Sequence, residues 1–104
     1  ALHVGMSCAE ADRTARAVID RAGYAGCFGH ALGHGVGLHI HESPVFSPAA
    51  PDSMLLSEGD VVTVEPGIYL TGKYGVRIED MITVQNGEIR NLTHSPKQLV
   101  QIDI

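Results

Sequence analysis

The chain has no tryptophan, five aromatic residues in all and two cysteines among its 104 residues. Two cysteines do not make the disulfide framework of a small secreted domain, so Cys8 and Cys27 are expected as small core residues. Cations are also scarce. Seven Lys and Arg stand against twelve Asp and Glu, for a formal charge of −5, and they form no basic run of the kind that binds nucleic acid or an acidic membrane. Neither partner is expected. No stretch approaches the roughly 18 apolar residues of a membrane-spanning helix, and the first residues do not read as a secretory leader, so the expected location is the cytoplasm. What remains is 44% hydrophobic and 18% charged, an ordinary globular composition at a length that suits one core.

Histidine and glycine are the residues in excess. His30, His34, His39 and His41, four of the six histidines, fall within twelve positions that also hold Gly33, Gly35 and Gly37 and follow directly on Gly29. Before them, Ser7-Cys8-Ala9-Glu10 has the spacing of a capping box, and Ala11, Ala15, Val18, Ile19 and Ala22 recur at helical intervals. This predicts a helix from Cys8 to Ala22, with Asp12, Arg13, Arg16, Asp20 and Arg21 as a solvated face. The glycine-rich stretch that follows is expected to be irregular or strand-like. After a loop marked by Pro44, Pro48 and Pro51, Val61–Val64 reads as a strand that ends at Glu65, before Pro66. A second strand is expected from Gly75 to Gln85. Asn86-Gly87 then makes a hairpin turn into Glu88–Leu92, and Leu99–Ile102 is a weaker closing strand.

Strand alternation places Arg77, Glu79 and Met81 on one face and Val76, Ile78, Asp80 and Ile82 on the other. Glu65 likewise shares a face with Val61 and Thr63. If the two strands pair in register, Glu65 meets Glu79, and two carboxylates that converge in a β-rich interior need a proton or a cation between them. A histidine nearby makes a multivalent metal a candidate, although Glu65 as a solvated strand end and Glu79 paired with Arg77 remain open alternatives. Two other metal motifs are excluded. His39-Ile40-His41 resembles the paired-histidine strand of cupins but has Val45 and Phe46 where that motif needs a glutamate, and Pro44 blocks an H-E-x-x-H helix at His41-Glu42.

Gly33-His34-Gly35-Val36-Gly37 with His41-Glu42-Ser43-Pro44, then Val64-Glu65-Pro66-Gly67-Ile68-Tyr69, then Gly75-Val76-Arg77-Ile78-Glu79-Asp80 closely resemble the last three motifs of the pita-bread metallopeptidases. The resemblance is greatest to the proline-specific branch, the Xaa-Pro dipeptidases (prolidases) and aminopeptidase P. It implies an α+β fold, the C-terminal half of a pita-bread domain, with one long helix packed on a curved, mainly antiparallel sheet. It also implies a site of two divalent metal ions, manganese first with cobalt, zinc or iron as alternatives, in which His34, Glu65 and Glu79 match the last three of five ligands. Glu79 would bridge the metals, and Glu65 would bind one metal and handle the proton of the bridging water. His41 would hydrogen-bond the substrate carbonyl or the tetrahedral intermediate, and metal-bound hydroxide would attack the bond. His30, Tyr69 and Arg77 match accessory positions that orient the proline side of a short peptide substrate or move protons. His39 has no assigned role.

The family's two remaining ligands are aspartates on a hairpin well upstream of the metal-binding histidine, whereas only 33 residues precede His34. Asp12 and Asp20, on the predicted helix, do not replace them. Residues 1–104 are therefore expected to form a single partial domain that holds metal weakly, is inactive alone and self-associates through an uncovered apolar edge. Two other functions are carried beside the peptidase: a non-catalytic, peptidase-like binding module and a metal-free, creatinase-like amidinohydrolase.

Overall fold

The computed structural model describes residues 2–104. Helix α1 spans Cys8–Ile19, shorter than the sequence reading. Ser7 caps it, its side chain accepting the Glu10 N–H at 3.4 Å, as the Ser-x-x-Glu spacing implies. Beyond Ile19 the chain widens into a π turn over Asp20–Tyr24, in which Gly23 takes φ 92°. That positive φ lies outside the helical region and stops the α-helix before Ala22.

Five strands build an antiparallel sheet: β1 (Gly33–Gly35), β2 (Glu42–Phe46), β3 (Val61–Val64), β6 (Asp80–Gln85) and β7 (Glu88–Asn91), in the order β2-β1-β3-β6-β7. Strands β4 (Gly67–Leu70) and β5 (Tyr74–Arg77) form a separate two-stranded sheet. The expected single strand over 75–85 is therefore divided between two sheets. The cause lies in the partner strand, where Pro66 has no N–H to donate. The pairing is nevertheless continuous across the break: Leu70↔Tyr74 through Gly67↔Arg77 runs on, without slippage, into Val64↔Asp80 through Val61↔Thr83. Ile78 N–H still donates to Pro66 O across the gap, at 3.3 Å. Residues 61–85 are thus one long hairpin, kinked where Glu65 stands opposite Glu79.

The Asn86-Gly87 turn forms as read, with φ of 55° and 74°, and the Glu58 carboxylate accepts both turn N–H groups at 2.7 and 2.9 Å. Residues 99–102 form no strand. Leu99, Val100 and Ile102 are exposed, and no sheet edge pairs with them. The core packs α1 against the sheet through Met6, Cys8, Ala11, Ile19, Phe28, Leu32, Phe46, Leu56, Val62, Ile82 and Val84. Each large aliphatic or aromatic side chain buried there contributes about 1.5–3 kcal/mol. Cys8 is part of this core, whereas Cys27 is only half-buried, and both are free thiols.

The charged face of α1 is the other correction. Arg13 and Asp20 are exposed as expected, but Asp12 is wholly buried. Its carboxylate accepts from Arg16 Nε at 2.8 Å, from Arg16 Nη2 at 3.0 Å and from the Leu32 N–H at 3.0 Å. That last bond ties the helix to the segment entering β1.

Candidate metal centre

Strand β1 is glycine on both sides of His34 because there is no room for anything larger. A Cβ on Gly33 would lie 1.9 Å from Thr63 O, and one on Gly35 would lie 2.3 Å from Ser43 O. Close approach of the strands turns the His34 side chain toward β3, where Thr63 is buried. Thr63 Oγ1 accepts the His34 N–H at 3.0 Å and donates to Glu65 Oε1 at 3.0 Å. One hydroxyl thereby orients both the histidine backbone and the glutamate carboxylate.

The His34 ring is oriented in turn by its own chain. Nδ1 lies 2.9 Å from Gly35 O and donates to it, so Nε2 is turned on Glu65 Oε1 at 3.1 Å. A ring nitrogen and a carboxylate oxygen are both acceptors in that arrangement, and the contact needs a proton or a cation between them. His41 stands beside His34, with ring centroids 4.2 Å apart. His34, His41, Thr63, Glu65, Arg77 and Glu79 line one cleft of about 410 Å³.

Arg77 lies between the two carboxylates, its Nε 3.8 Å from Glu65 Oε2 and 3.5 Å from Glu79 Oε2. The Tyr69 phenol, followed by Glu65 and Glu79, holds the Arg77 pKa above the ordinary arginine value. Tyr69 also reaches His30. His30 Nδ1 donates to Ala31 O at 2.8 Å, leaving Nε2 to accept the Tyr69 hydroxyl proton at 2.7 Å. Tyr69 and His30 are thus hydrogen-bonded to each other in a neighbouring cleft, with Arg77 as the charged group through which Tyr69 is felt at Glu65 and Glu79.

Of the residues singled out from sequence, the fold brings His34, His41, Glu65, Arg77 and Glu79 into the cleft, and sets Tyr69 and His30 together in a neighbouring one. His39 is exposed outside it. Asp12 points into the helix–sheet junction and Asp20 to solvent. Among the described residues, no three His, Cys, Asp or Glu side chains close on a point that could hold a metal ion. One imidazole and two carboxylates suit a divalent cation chemically, and the facing acceptors of His34 and Glu65 fit one. The arginine between the carboxylates and the shortage of ligands keep that set from being a complete cage. The sequence reading missed Glu42, whose carboxylate accepts the His39 N–H at 3.1 Å and fills the space beneath Gly37. The glycine at 37, directly before the loop to His41, was the available signal.

Comparison with known proteins gives the fold and the family. The Xaa-Pro dipeptidase of Pyrococcus furiosus is 45% identical over 96 residues, covering 92% of this chain and 27% of its own length. The Xaa-Pro dipeptidase of Lactobacillus helveticus is 42% identical over 100 residues, covering 96% and 27%. Among solved structures, a dipeptidase from Pyrococcus horikoshii OT3 superposes with a TM-score of 0.89 at 43% identity, covering 95% of this chain and 27% of that one. The X-Pro aminopeptidase of Thermotoga maritima MSB8 gives 0.84 at 44%, covering 92% and 27%. The chain thus spans about a quarter of the length of these relatives and has the fold of part of a pita-bread catalytic domain. The sequence profile of metallopeptidase family M24 matches residues 1–86, and the chain belongs to that family.

Proposed function

We propose that this chain is the part of an Xaa-Pro-type metallopeptidase that carries the last three metal ligands, and that the whole protein hydrolyses a peptide bond to proline in short peptides. The unbroken hairpin register supports this most directly, because it sets Glu65 opposite Glu79 in the cleft shared with His34 and His41. His34, Glu65 and Glu79 would hold divalent metal; one imidazole and two carboxylates suit manganese, cobalt, iron or zinc alike, and manganese is put first on the family resemblance. When bound, the metal supplies a water of lowered pKa and polarises the scissile carbonyl.

The other steps belong to side chains. Glu65 accepts a proton at the oxygen not held by Thr63, and His41 hydrogen-bonds the carbonyl oxygen of the substrate. Arg77 orients the proline side as a fixed charge, and Tyr69 and His30 orient it or move protons through their shared hydrogen bond. The isolated chain is inactive because the missing ligands lie in the rest of the protein, and its uncovered apolar surface drives self-association. A cytoplasmic location agrees with two unpaired thiols.

Arg77 between the carboxylates favours one alternative, a metal-free relative or binding module in which the arginine is the resident cation. A chimera decides between them. This chain replaces the matching quarter of the Pyrococcus furiosus dipeptidase, and hydrolysis of an Xaa-Pro dipeptide is followed with added manganese. The peptidase reading expects turnover that Glu79→Gln abolishes, by about 10³-fold or more. A folded chimera without turnover, or one indifferent to Glu79→Gln, refutes it.

A further inference from the structure

Asp12 is wholly buried and takes no part in the proposed chemistry. Its partner Arg16 is bound on both sides. Nε and Nη2 grip the Asp12 carboxylate, while Nη1 donates to Phe28 O at 2.5 Å and Nη2 also donates to His30 O at 2.9 Å. The guanidinium carbon lies 4.2 Å from the Phe28 ring centroid. Phe28 meets the His30 ring edge-on, with centroids 5.0 Å apart at 90°. The backbone and one ring face of His30 are therefore both set by Arg16, and Asp12 sets Arg16.

We infer that Asp12 and Arg16 are positioning residues for His30, holding its Nε2 on the Tyr69 hydroxyl. The purpose assigned to His30 rests on the peptidase reading, but the positioning does not. A planar fork is required for this work. Four in-plane N–H bonds reach a carboxylate and two carbonyls while the guanidinium face lies over an aromatic ring, whereas a lysine ammonium keeps the charge without that geometry. Arg16 touches neither ring nitrogen of His30: the tautomer is fixed by Nδ1–H on Ala31 O, and Arg16 acts on it by holding the His30 carbonyl and the Phe28 ring that the imidazole meets.

Imidazole and guanidinium NMR of the ¹⁵N-labelled chain, carrying Val76→Thr and Ile78→Thr so that its exposed apolar groove does not drive association, tests this without metal or substrate. In the parent chain, Arg16 Nε–H should exchange with water at least about tenfold more slowly than in free arginine, because a closed structure protects it. His30 should carry its proton on Nδ1. In Arg16→Lys, the His30 nitrogens should move toward a mixture of the two tautomers as the His30 backbone loosens, while His34, whose backbone is held by Thr63 and not by Arg16, keeps its pattern. Tyr69→Phe should shift His30 and leave the Arg16 Nε–H protected, which places the arginine upstream.

An unchanged His30 pattern in folded Arg16→Lys, or His30 and His34 changing together, overturns the inference. If Arg16→Lys does not fold, the parent decides: a protected Nε–H with a single His30 tautomer supports the inference, and an unprotected Nε–H or mixed tautomers overturn it. An inactive chimera would leave these spectra unaffected, so the two readings fail separately.

Discussion

Thr63 illustrates how much of the cleft hangs on single polar atoms. Its buried hydroxyl accepts from the His34 backbone and donates to Glu65. Thr63→Val, nearly isosteric, would leave a buried N–H and a carboxylate oxygen unpaired, and each such loss costs about 1–3 kcal/mol. Urea midpoints should fall accordingly for valine and much less for Thr63→Ser. Cys8 makes a different prediction, because burial, reinforced by Asp60, raises its thiol above the ordinary value of 9.0. The unfolded thiol then loses its proton first as pH rises, the native state binds more protons, and stability falls from about pH 9 upward. Denaturation midpoints between pH 8 and 10 should decline less steeply in Cys8→Ala. The cleft residues were legible from sequence because strand alternation fixes which side chains share a face. Asp12 was not, since an Asp and Arg four apart on a helix look like a surface pair. Only the fold shows the Leu32 N–H in need of an acceptor.

Elements reveal the same division between what is local and what is not. The helix cap, the Asn86-Gly87 turn and the strand at Val61–Val64 follow from neighbouring residues and are found where the sequence places them. The division of residues 75–85 into two strands depends on Pro66, a residue of the opposing strand, so nothing within 75–85 announces it. Leu99–Ile102 has strand composition but pairs with neither outer strand of the five-stranded sheet. The glycines of β1 give the sharpest test at this scale. Gly33→Ala drives a methyl into Thr63 O, a backbone atom that cannot turn aside, whereas Gly29→Ala meets nothing within 4 Å. The first should cost roughly 1–3 kcal/mol by overpacking and loosen the His34 amide in hydrogen exchange. The second should leave the urea midpoint nearly unchanged.

The whole molecule is more open than its length requires. Its radius of gyration is 14.6 Å, against about 13 Å for a compact chain of this size. An apolar groove of about 190 Å³, lined by Ile19, Pro66, Gly67, Ile68, Val76 and Ile78, runs between the end of α1 and the β4-β5 hairpin. Val76 and Ile78 are 57% and 45% exposed. A contiguous apolar surface of this kind is costly to leave in water, and the relatives have nearly three-quarters of their length outside the matched region. The chain alone is therefore expected to self-associate at tens of micromolar, through contacts that added salt does not dissolve, since a net charge of −5 opposes rather than drives association. Light scattering on the parent and on a Val76→Thr, Ile78→Thr double variant separates the causes. Threonine keeps the β-branched shape that suits a strand while making the surface polar, so the variant should fold and shift toward monomer. A parent that is already monodisperse and monomeric, or a variant that associates equally well, would show that this groove is not the adhesive surface.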